Sequence, residues 1–195
     1  MNFYSFFSGI YKKSAQKMSA ECFDFIKKGD KILDFGCGSA IVTQTFKDCF
    51  KADILGVDVE DQRIFPIPFK IIGDMEKEKL PFNDLSFDVV LISYVLHHTK
   101  NPKAVLKEIQ RVAKRIIIYE DLPQGLFSKI RCWFHEVGYI TFFQKTNYQF
   151  SFKTEKEWKQ LFDELGLKII AEKRATNIFE IIDPGYKIIF VLERI

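Results

Sequence analysis

Two glycines and three aspartates in the first half of the chain have the types and spacing of a cofactor site. Asp34 lies just before Gly36 and Gly38, and Asp58 and Asp74 follow further along the chain. A glycine lets a ligand approach the backbone where a Cβ atom would collide with it. An acid about 20 residues after such a turn, at the end of the next strand, is placed to accept hydrogen bonds from both ribose hydroxyls. These residues predict a site for a nucleoside-bearing cofactor.

The glycine turn lacks part of the dinucleotide-binding fingerprint. That fingerprint is G-x-G-x-x-G, and Ile41 stands where its third glycine belongs. Asp34 beside the turn disfavours a pyrophosphate and favours a cationic group such as an amine or a sulfonium. We therefore expect a positively charged cofactor, and a nicotinamide oxidoreductase is the less favoured alternative.

Apolar runs that alternate with helical periodicity must position these residues. The predicted strands cover residues 31–35, 53–58, 69–73, 87–93, 116–119, 168–172 and 187–192, and the predicted helices cover 14–28, 41–50, 102–113 and 154–165. Alternation of strands and helices predicts an α/β fold with a mostly parallel, seven-stranded sheet and an antiparallel hairpin at its C-terminal end. Ligands of such sheets bind at the carboxyl ends of the strands, where the strand order reverses. The three aspartates are predicted to meet there.

A series of short motifs in this order resembles a known family. They are Leu33-Asp-Phe-Gly-Cys-Gly38, Gly56-Val-Asp58, Gly73-Asp74, Leu80-Pro-Phe82, Phe87-Asp88, Leu96-His-His98 and Leu106-Lys-Glu-Ile-Gln-Arg-Val112. Together, from residue 31 to about 121, they resemble the class I S-adenosylmethionine-dependent methyltransferases, and among these the group that methylates small molecules. The resemblance implies a Rossmann-like, doubly wound fold with S-adenosylmethionine as the cofactor.

The resemblance also implies which residues bind the cofactor: Asp34, Gly36, Gly38, Asp58, Val59, Asp74, Met75, Ser93 and Tyr94. The glycines would pass under the methionine part, and Asp34 would hold the turn and the amino group. Asp58 would accept from the ribose hydroxyls. Asp74 would accept from the adenine amino group, Met75 would give a backbone donor to the ring, and Ser93 and Tyr94 would face the substrate.

The sequence departs from the family pattern at two places. Ala40 replaces the usual third glycine, and the segment 60–68 contains Pro66 and Pro68 in place of the helix expected between the second and third strands. One wall of the adenine pocket is therefore expected to be thin or built differently.

Two adjacent histidines, His97 and His98, are the candidates for a catalytic role. Imidazole has a pKa suited to removing a proton from an oxygen or nitrogen acceptor at neutral pH. The alternative is that they only pack in the fold, and alignment of the reactants alone can suffice for methyl transfer. The sequence favours neither histidine over the other.

Aromatic residues are concentrated in two segments outside this core. Nine lie in residues 122–152 and five in residues 1–11. They predict either a subdomain that covers the core, or a lid over an apolar pocket or lipid-like substrate. The lid candidates are Tyr4, Tyr11, Trp133, His135 and Phe142. The single domain is thus predicted as an N-terminal cap helix (1–28), a cofactor-binding core (29–121), an aromatic lid (122–152) and a C-terminal helix with hairpin (153–195).

The net charge and the cysteine spacing limit the classes of partner and metal that the sequence allows. The net charge is +3, with basic and acidic residues interspersed, so a nucleic acid is not expected as a partner. The four cysteines do not have the spacing of a zinc site and are predicted to be free thiols in the cytoplasm. The longest apolar run is far shorter than the roughly 18 residues that a membrane-spanning helix needs. The sequence still allows peripheral contact with a membrane. It does not predict the oligomeric state.

The sequence therefore predicts an S-adenosylmethionine-dependent methyltransferase that acts on a small, apolar or aromatic acceptor by in-line transfer. A cofactor-binding regulator or partner subunit without catalysis is the alternative.

Overall fold

Seven strands form one mixed sheet in the order β3-β2-β1-β4-β5-β7-β6. The computed structural model describes residues 8–74, 77–122, 130, 152–174 and 186–194. Its strands are β1 (Lys31–Phe35), β2 (Asp53–Asp58), β3 (Phe69–Ile71), β4 (Phe87–Ser93), β5 (Ala113–Leu122), β6 (Leu167–Arg174) and β7 (Tyr186–Arg194). Its helices are α1 (Ser8–Glu21), α2 (Ile41–Phe50), α3 (Pro102–Val112) and α4 (Glu155–Glu164), and a 3-10 turn covers Leu96–His98.

The strand order reverses between β1 and β4. The chain runs from β1 outward to β2 and β3, then returns to the other side of β1 as β4 and continues to β5; all these strands are parallel. β7 lies antiparallel between β5 and β6. The predicted mostly parallel, seven-stranded sheet with an antiparallel C-terminal hairpin is confirmed, and its carboxyl edge at β1 and β4 is where a ligand is expected.

Helices cover both faces of the sheet. On one face, residues of α3 and α4 such as Leu106 and Trp158 pack against Val90 and Ile92 of β4. On the other face, α1 and α2 pack against Val89 and Leu91 of the same strand. Because alternate residues of β4 face two apolar layers, the strand is a continuous apolar run.

The first helix differs from its prediction. Helix α1 begins at Ser8 and ends at Glu21, whereas the apolar spacing predicted residues 14–28. Cys22 and Ile26 keep the helical spacing and are buried, but they lie in turns after the helix. Their burial follows from contact with the sheet, so an apolar stripe alone predicts burial better than it predicts a helix end.

The ends of four strands also differ. β3 ends at Ile71 rather than at residue 73, and β5 covers Ala113–Leu122, beginning directly after α3, rather than residues 116–119. β6 and β7 extend beyond their predicted bounds at both ends. In contrast, the predicted absence of a helix between β2 and β3 is confirmed. Within the described residues, no helix is long and apolar enough to cross a bilayer.

Candidate functional site

The glycine turn after β1 is tied to the end of β2. Gly36 and Gly38 have positive φ angles of 75° and 48°. The Gly36 N–H donates to the Val57 carbonyl (2.9 Å), and the Gly38 N–H donates to Asp58 Oδ2 (2.8 Å). The turn and the acid predicted to bind ribose are therefore in direct contact.

The two glycines are required for different reasons. A Cβ atom on Gly36 would lie 2.5 Å from a methyl carbon of Val95, so this glycine makes room for the segment that follows β4. A Cβ atom on Gly38 would meet no described residue within 4 Å. Among these residues the space beside Gly38 is thus open, whereas at Gly36 the close neighbour is the protein itself.

Ala40, where the resemblance expects a third glycine, has the backbone conformation of a glycine. Its φ is 62° and it directly precedes α2, with its side chain fully buried. The left-handed conformation is disfavoured for any residue with a Cβ atom. The turn therefore keeps its shape despite the substitution, at a cost in stability.

We expect Ala40→Gly to change the free energy of unfolding by less than about 1 kcal/mol, because three contributions nearly cancel. The left-handed conformation costs an alanine roughly 1–2 kcal/mol, but a glycine loses roughly 0.5–1 kcal/mol of extra chain entropy on folding, and burial of the alanine methyl group contributes about 0.8 kcal/mol. Urea denaturation measures the difference. Ala104→Gly, in the right-handed first turn of α3, is the control without the left-handed cost and should lower the free energy of unfolding more; an equal or larger loss at Ala40 would contradict the prediction.

Asp58 ends β2 with its carboxylate already oriented. Oδ2 accepts the Gly38 N–H, and Oδ1 accepts the Val59 N–H at 2.7 Å. The backbone therefore holds both oxygens in place beside the glycine turn.

Asp34 lies at the centre of the sheet edge and is 1% exposed. Its carboxyl accepts the Thr43 hydroxyl at 2.5 Å. Burial raises the pKa of Asp34 to about 7, and the nearby charge of Asp58 adds to this rise, whereas the Thr43 hydroxyl opposes it. An ionised Asp34 in this place suits a cationic group close by, which agrees with the predicted preference for a sulfonium or amine.

We expect Asp34→Asn to stabilise the ligand-free protein at pH 8 by roughly 1–3 kcal/mol. The pKa of Asp34 rises from 3.8 unfolded to about 7 folded, so its ionisation destabilises the fold progressively over that range and fully above it. The gain should therefore shrink at pH 5. Urea denaturation at both pH values measures it, with Asp53→Asn, on the exposed start of β2, as control. Equal stability of wild type and Asp34→Asn at pH 8 would contradict the prediction.

Asp74 follows β3 on the side expected for adenine. Its exposed carboxylate pairs with Lys77 at 2.6 Å, and its carbonyl accepts the Lys77 and Glu78 N–H groups. A cavity of about 150 Å³ lies beside it, between Ile71 and Pro81. Met75, predicted as the backbone donor to the ring, lies outside the described residues.

An arginine organises the helix-free connection between β2 and β3. Arg63 pairs with Asp61, donates to the Ile67 carbonyl at 2.6 Å and lies 4.3 Å from the centre of the Phe69 ring. These contacts give the connection between β2 and β3 a defined shape without the expected helix. The sequence pattern predicts that the helix is missing, but it does not predict the role of the arginine.

The carboxyl end of β4 faces the same edge of the sheet. Ser93 Oγ is buried and has no hydrogen-bond partner among the residues that the structure describes. Tyr94 has a φ of 57°, and its N–H donates to the Tyr119 carbonyl at 2.9 Å. A buried hydroxyl without a partner is unfavourable, so Ser93 fits a site that a polar ligand completes.

The two histidines follow in the 3-10 turn, and a buried acid holds one of them. His97 is 2% exposed, and its Nδ1 lies 2.6 Å from Glu120 Oε2. Burial opposes protonation of His97, but the charge and hydrogen bond of Glu120 outweigh it and raise the pKa of the imidazole. The rings of His97 and His98 are 4.1 Å apart. Glu120 was not predicted as a site residue, although its position directly after a predicted strand could have indicated it.

Most of the predicted lid lies outside the described residues. This holds for Tyr4, Trp133, His135 and Phe142. Tyr11 is on an exposed part of α1.

Comparison with known proteins identifies the family. The family model described as a methyltransferase domain matches residues 9–172. The chain belongs to this methyltransferase family. The predicted family and the predicted cofactor, S-adenosylmethionine, are thereby confirmed, and structural neighbours were solved with this cofactor or its demethylated product.

Two relatives of this methyltransferase illustrate the range of similarity. The demethylmenaquinone methyltransferase of Bacillus subtilis is 29% identical over 170 residues, which cover 73% of each chain. An uncharacterized methyltransferase of Schizosaccharomyces pombe is 30% identical over 118 residues, which cover 52% of this chain and 42% of that protein. The match thus spans less than half of the yeast protein.

Solved structures of low sequence identity show the same fold. A putative methyltransferase of Haloferax volcanii, solved in complex with the Trm112 methyltransferase activator, has a TM-score of 0.72 and 14% identity over 99% of this chain and 98% of that one. Magnesium protoporphyrin IX methyltransferase of Synechocystis, solved with its product cofactor, has a TM-score of 0.65 and 15% identity over 100% and 89% of the chains.

Proposed function

We propose that this methyltransferase moves the sulfonium methyl of S-adenosylmethionine to a small, apolar or aromatic acceptor by in-line displacement. The observation that carries the proposal is the geometry at the β1 edge. Asp58 is oriented by two backbone N–H groups next to the open face of Gly38. A ribose accepted by Asp58 would place the rest of the cofactor along the turn.

Each of the described site residues has a proposed role toward that cofactor. S-adenosylmethionine, when bound, supplies a methyl group on a positively charged sulfur. Gly38 leaves room for its methionine part, and the charge of Asp34 stabilises a nearby cation. Asp58 binds the ribose hydroxyls, and Asp74 accepts from adenine. Ser93 and Tyr94 line the side on which the acceptor enters.

Transfer itself needs alignment more than acid–base chemistry. Methyl transfer from a sulfonium is favourable, so holding the nucleophile, methyl and sulfur in line supplies much of the rate. His97 is poorly suited as a base, because Glu120 occupies Nδ1 and raises the pKa of the imidazole. Of the two histidines, His98 is the better candidate for accepting a proton from the acceptor.

The nature of the acceptor is supported by two observations. Aromatic residues are concentrated in segments 1–11 and 122–152, including the proposed lid residues Tyr4, Tyr11, Trp133, His135 and Phe142. Relatives are named for the methylation of demethylmenaquinone and of sterols, which are hydrophobic molecules. A small hydrophobic acceptor, drawn from solution or from a membrane surface, fits both.

Calorimetry and label transfer test the proposal. Both S-adenosylmethionine and its demethylated product should bind, and methyl-labelled cofactor should label a short-chain demethylmenaquinone or a component of a lipid extract. Absence of binding by both compounds at millimolar concentration would overturn the proposal. Binding without any label transfer would instead support the alternative of a cofactor-binding regulator.

A further inference from the structure

Both carboxylate oxygens of Glu120 form hydrogen bonds to the turn that follows β4. It lies on β5 and is 1% exposed. Oε1 accepts the Leu96 N–H at 2.8 Å, and Oε2 bonds to Nδ1 of His97 at 2.6 Å. A buried carboxylate with two directional partners fixes the position of both.

His97 connects this carboxylate to a further part of the chain. The Phe152 ring stacks on the His97 imidazole with centroids 4.8 Å apart and an angle of 13° between the planes. Other titratable groups surround the pair: Asp121 and Lys187 both affect the pKa of His97, His98 lies against it, and Tyr94 lies under Lys187. β5, the turn after β4 and the segment before α4 thus meet at one ion pair.

The turn that Glu120 binds is a strained one. Tyr94 has a positive φ although it carries a Cβ atom, a conformation that is disfavoured for any residue except glycine. Strained backbone persists where surrounding contacts over-determine it. The contacts on the two sides of Tyr94 are its own N–H to Tyr119 and the Leu96 N–H to Glu120.

We propose that Glu120 is a positioning residue for methyl transfer: through Leu96 and His97 it holds residues 93–98 in the one conformation that turns Ser93 and Tyr94 toward the acceptor. The inference rests on the proposed function for its catalytic consequence. Glu120 does not touch the reactants. It acts through the turn.

Glu120→Gln tests the proposal, because the variant keeps the size of the side chain and removes its charge. The chain has three histidines, so imidazole NMR can follow each one. In wild type, the His97 imidazole should titrate above the usual pKa of 6.5, and in Glu120→Gln it should titrate at lower pH. Transfer to a short-chain demethylmenaquinone should fall by about tenfold to a hundredfold in kcat. Affinity for the demethylated cofactor should stay within about twofold, since the turn at Gly38 and the carboxylate of Asp58 lie outside residues 93–98 and keep their contacts.

The matched control is Glu164→Gln, which removes an exposed carboxylate paired with Lys103 and should leave both the titration and kcat unchanged. An unchanged imidazole titration in Glu120→Gln, or an unchanged kcat with a shifted titration, would overturn the proposal. Inactivity of the wild-type protein toward every acceptor would count against the proposed function instead. In that case hydrogen exchange decides the inference: the Leu96 amide should exchange faster in Glu120→Gln, and equal exchange would overturn it.

A second pair of variants applies if Glu120→Gln does not fold. His97→Asn places an amide nitrogen near the position of Nδ1 and can still donate to Glu120, whereas His97→Ala cannot. His97→Asn should retain about tenfold more transfer than His97→Ala at equal occupancy of the cofactor site. Equal transfer by the two variants would overturn the positioning role.

Discussion

Replacement of Asp58 by asparagine is expected to lower the affinity for S-adenosylmethionine by about a hundredfold. A hydrogen bond to a charged group contributes about 1.5–3 kcal/mol, and Asp58 would make two to the ribose. The amide also presents an N–H₂ group to one of the backbone donors that now orient the carboxylate, Gly38 and Val59. A loss of about 3 kcal/mol corresponds to roughly two factors of ten in the dissociation constant.

Calorimetry with the cofactor and its demethylated product measures this loss. Asp53→Asn is the matched control, since it makes the same chemical change at an exposed carboxylate at the start of the same strand. It should leave the dissociation constant within about threefold. Circular dichroism must show both variants folded. An Asp58→Asn protein that binds as tightly as Asp53→Asn would remove Asp58 from the cofactor site.

Replacement of Glu120 by alanine is expected to lower the free energy of unfolding by about 3–5 kcal/mol. That is the usual cost of removing one partner of a buried ion pair, because the other charge is left without compensation. Here the remaining group is His97, and the Leu96 N–H also loses its acceptor. Urea denaturation at pH 6 measures the effect. Glu164→Ala, at an exposed pair, should change stability by less than about 1 kcal/mol; a similar small change for Glu120→Ala would contradict the prediction.

The same pair makes stability depend on pH in a definite direction. The pKa of His97 is higher in the folded protein than its usual value of 6.5. Its protonation therefore stabilises the fold fully below pH 6.5, and this contribution is lost as the pH rises through the folded pKa. The stability difference between wild type and His97→Asn should narrow from pH 6 to pH 9. A difference that stays constant over this range would show that folding does not raise the pKa of His97.

The strands and the glycine turn could be predicted from local patterns. β4 is a continuous apolar run because helices cover both of its faces, and such a run is visible in sequence. The placement of the glycine turn and Asp58 at one edge of the sheet followed from the general rule that strand ends meet there in a parallel sheet. Both inferences need only short segments and the topology.

Features that depend on distant packing could not be predicted. Gly36 is required because the Val95 side chain lies where a Cβ atom would be. The partner of His97 is an acid 23 residues further along the chain. Neither contact leaves a periodic signal. The end of α1 was also missed, because burial of Cys22 against the Tyr119 hydroxyl extends the apolar pattern beyond the helix.

The position of β7 constrains the order in which the sheet can be completed during synthesis. β7 follows both β5 and β6 along the chain, yet it lies between them and pairs with both. Until residues 186–194 have been synthesised, the strand edges of β5 and β6 that β7 covers lack this partner. Unpaired strand edges of this kind are prone to join other chains. The pairing of β7 is therefore the step that protects these two edges from aggregation.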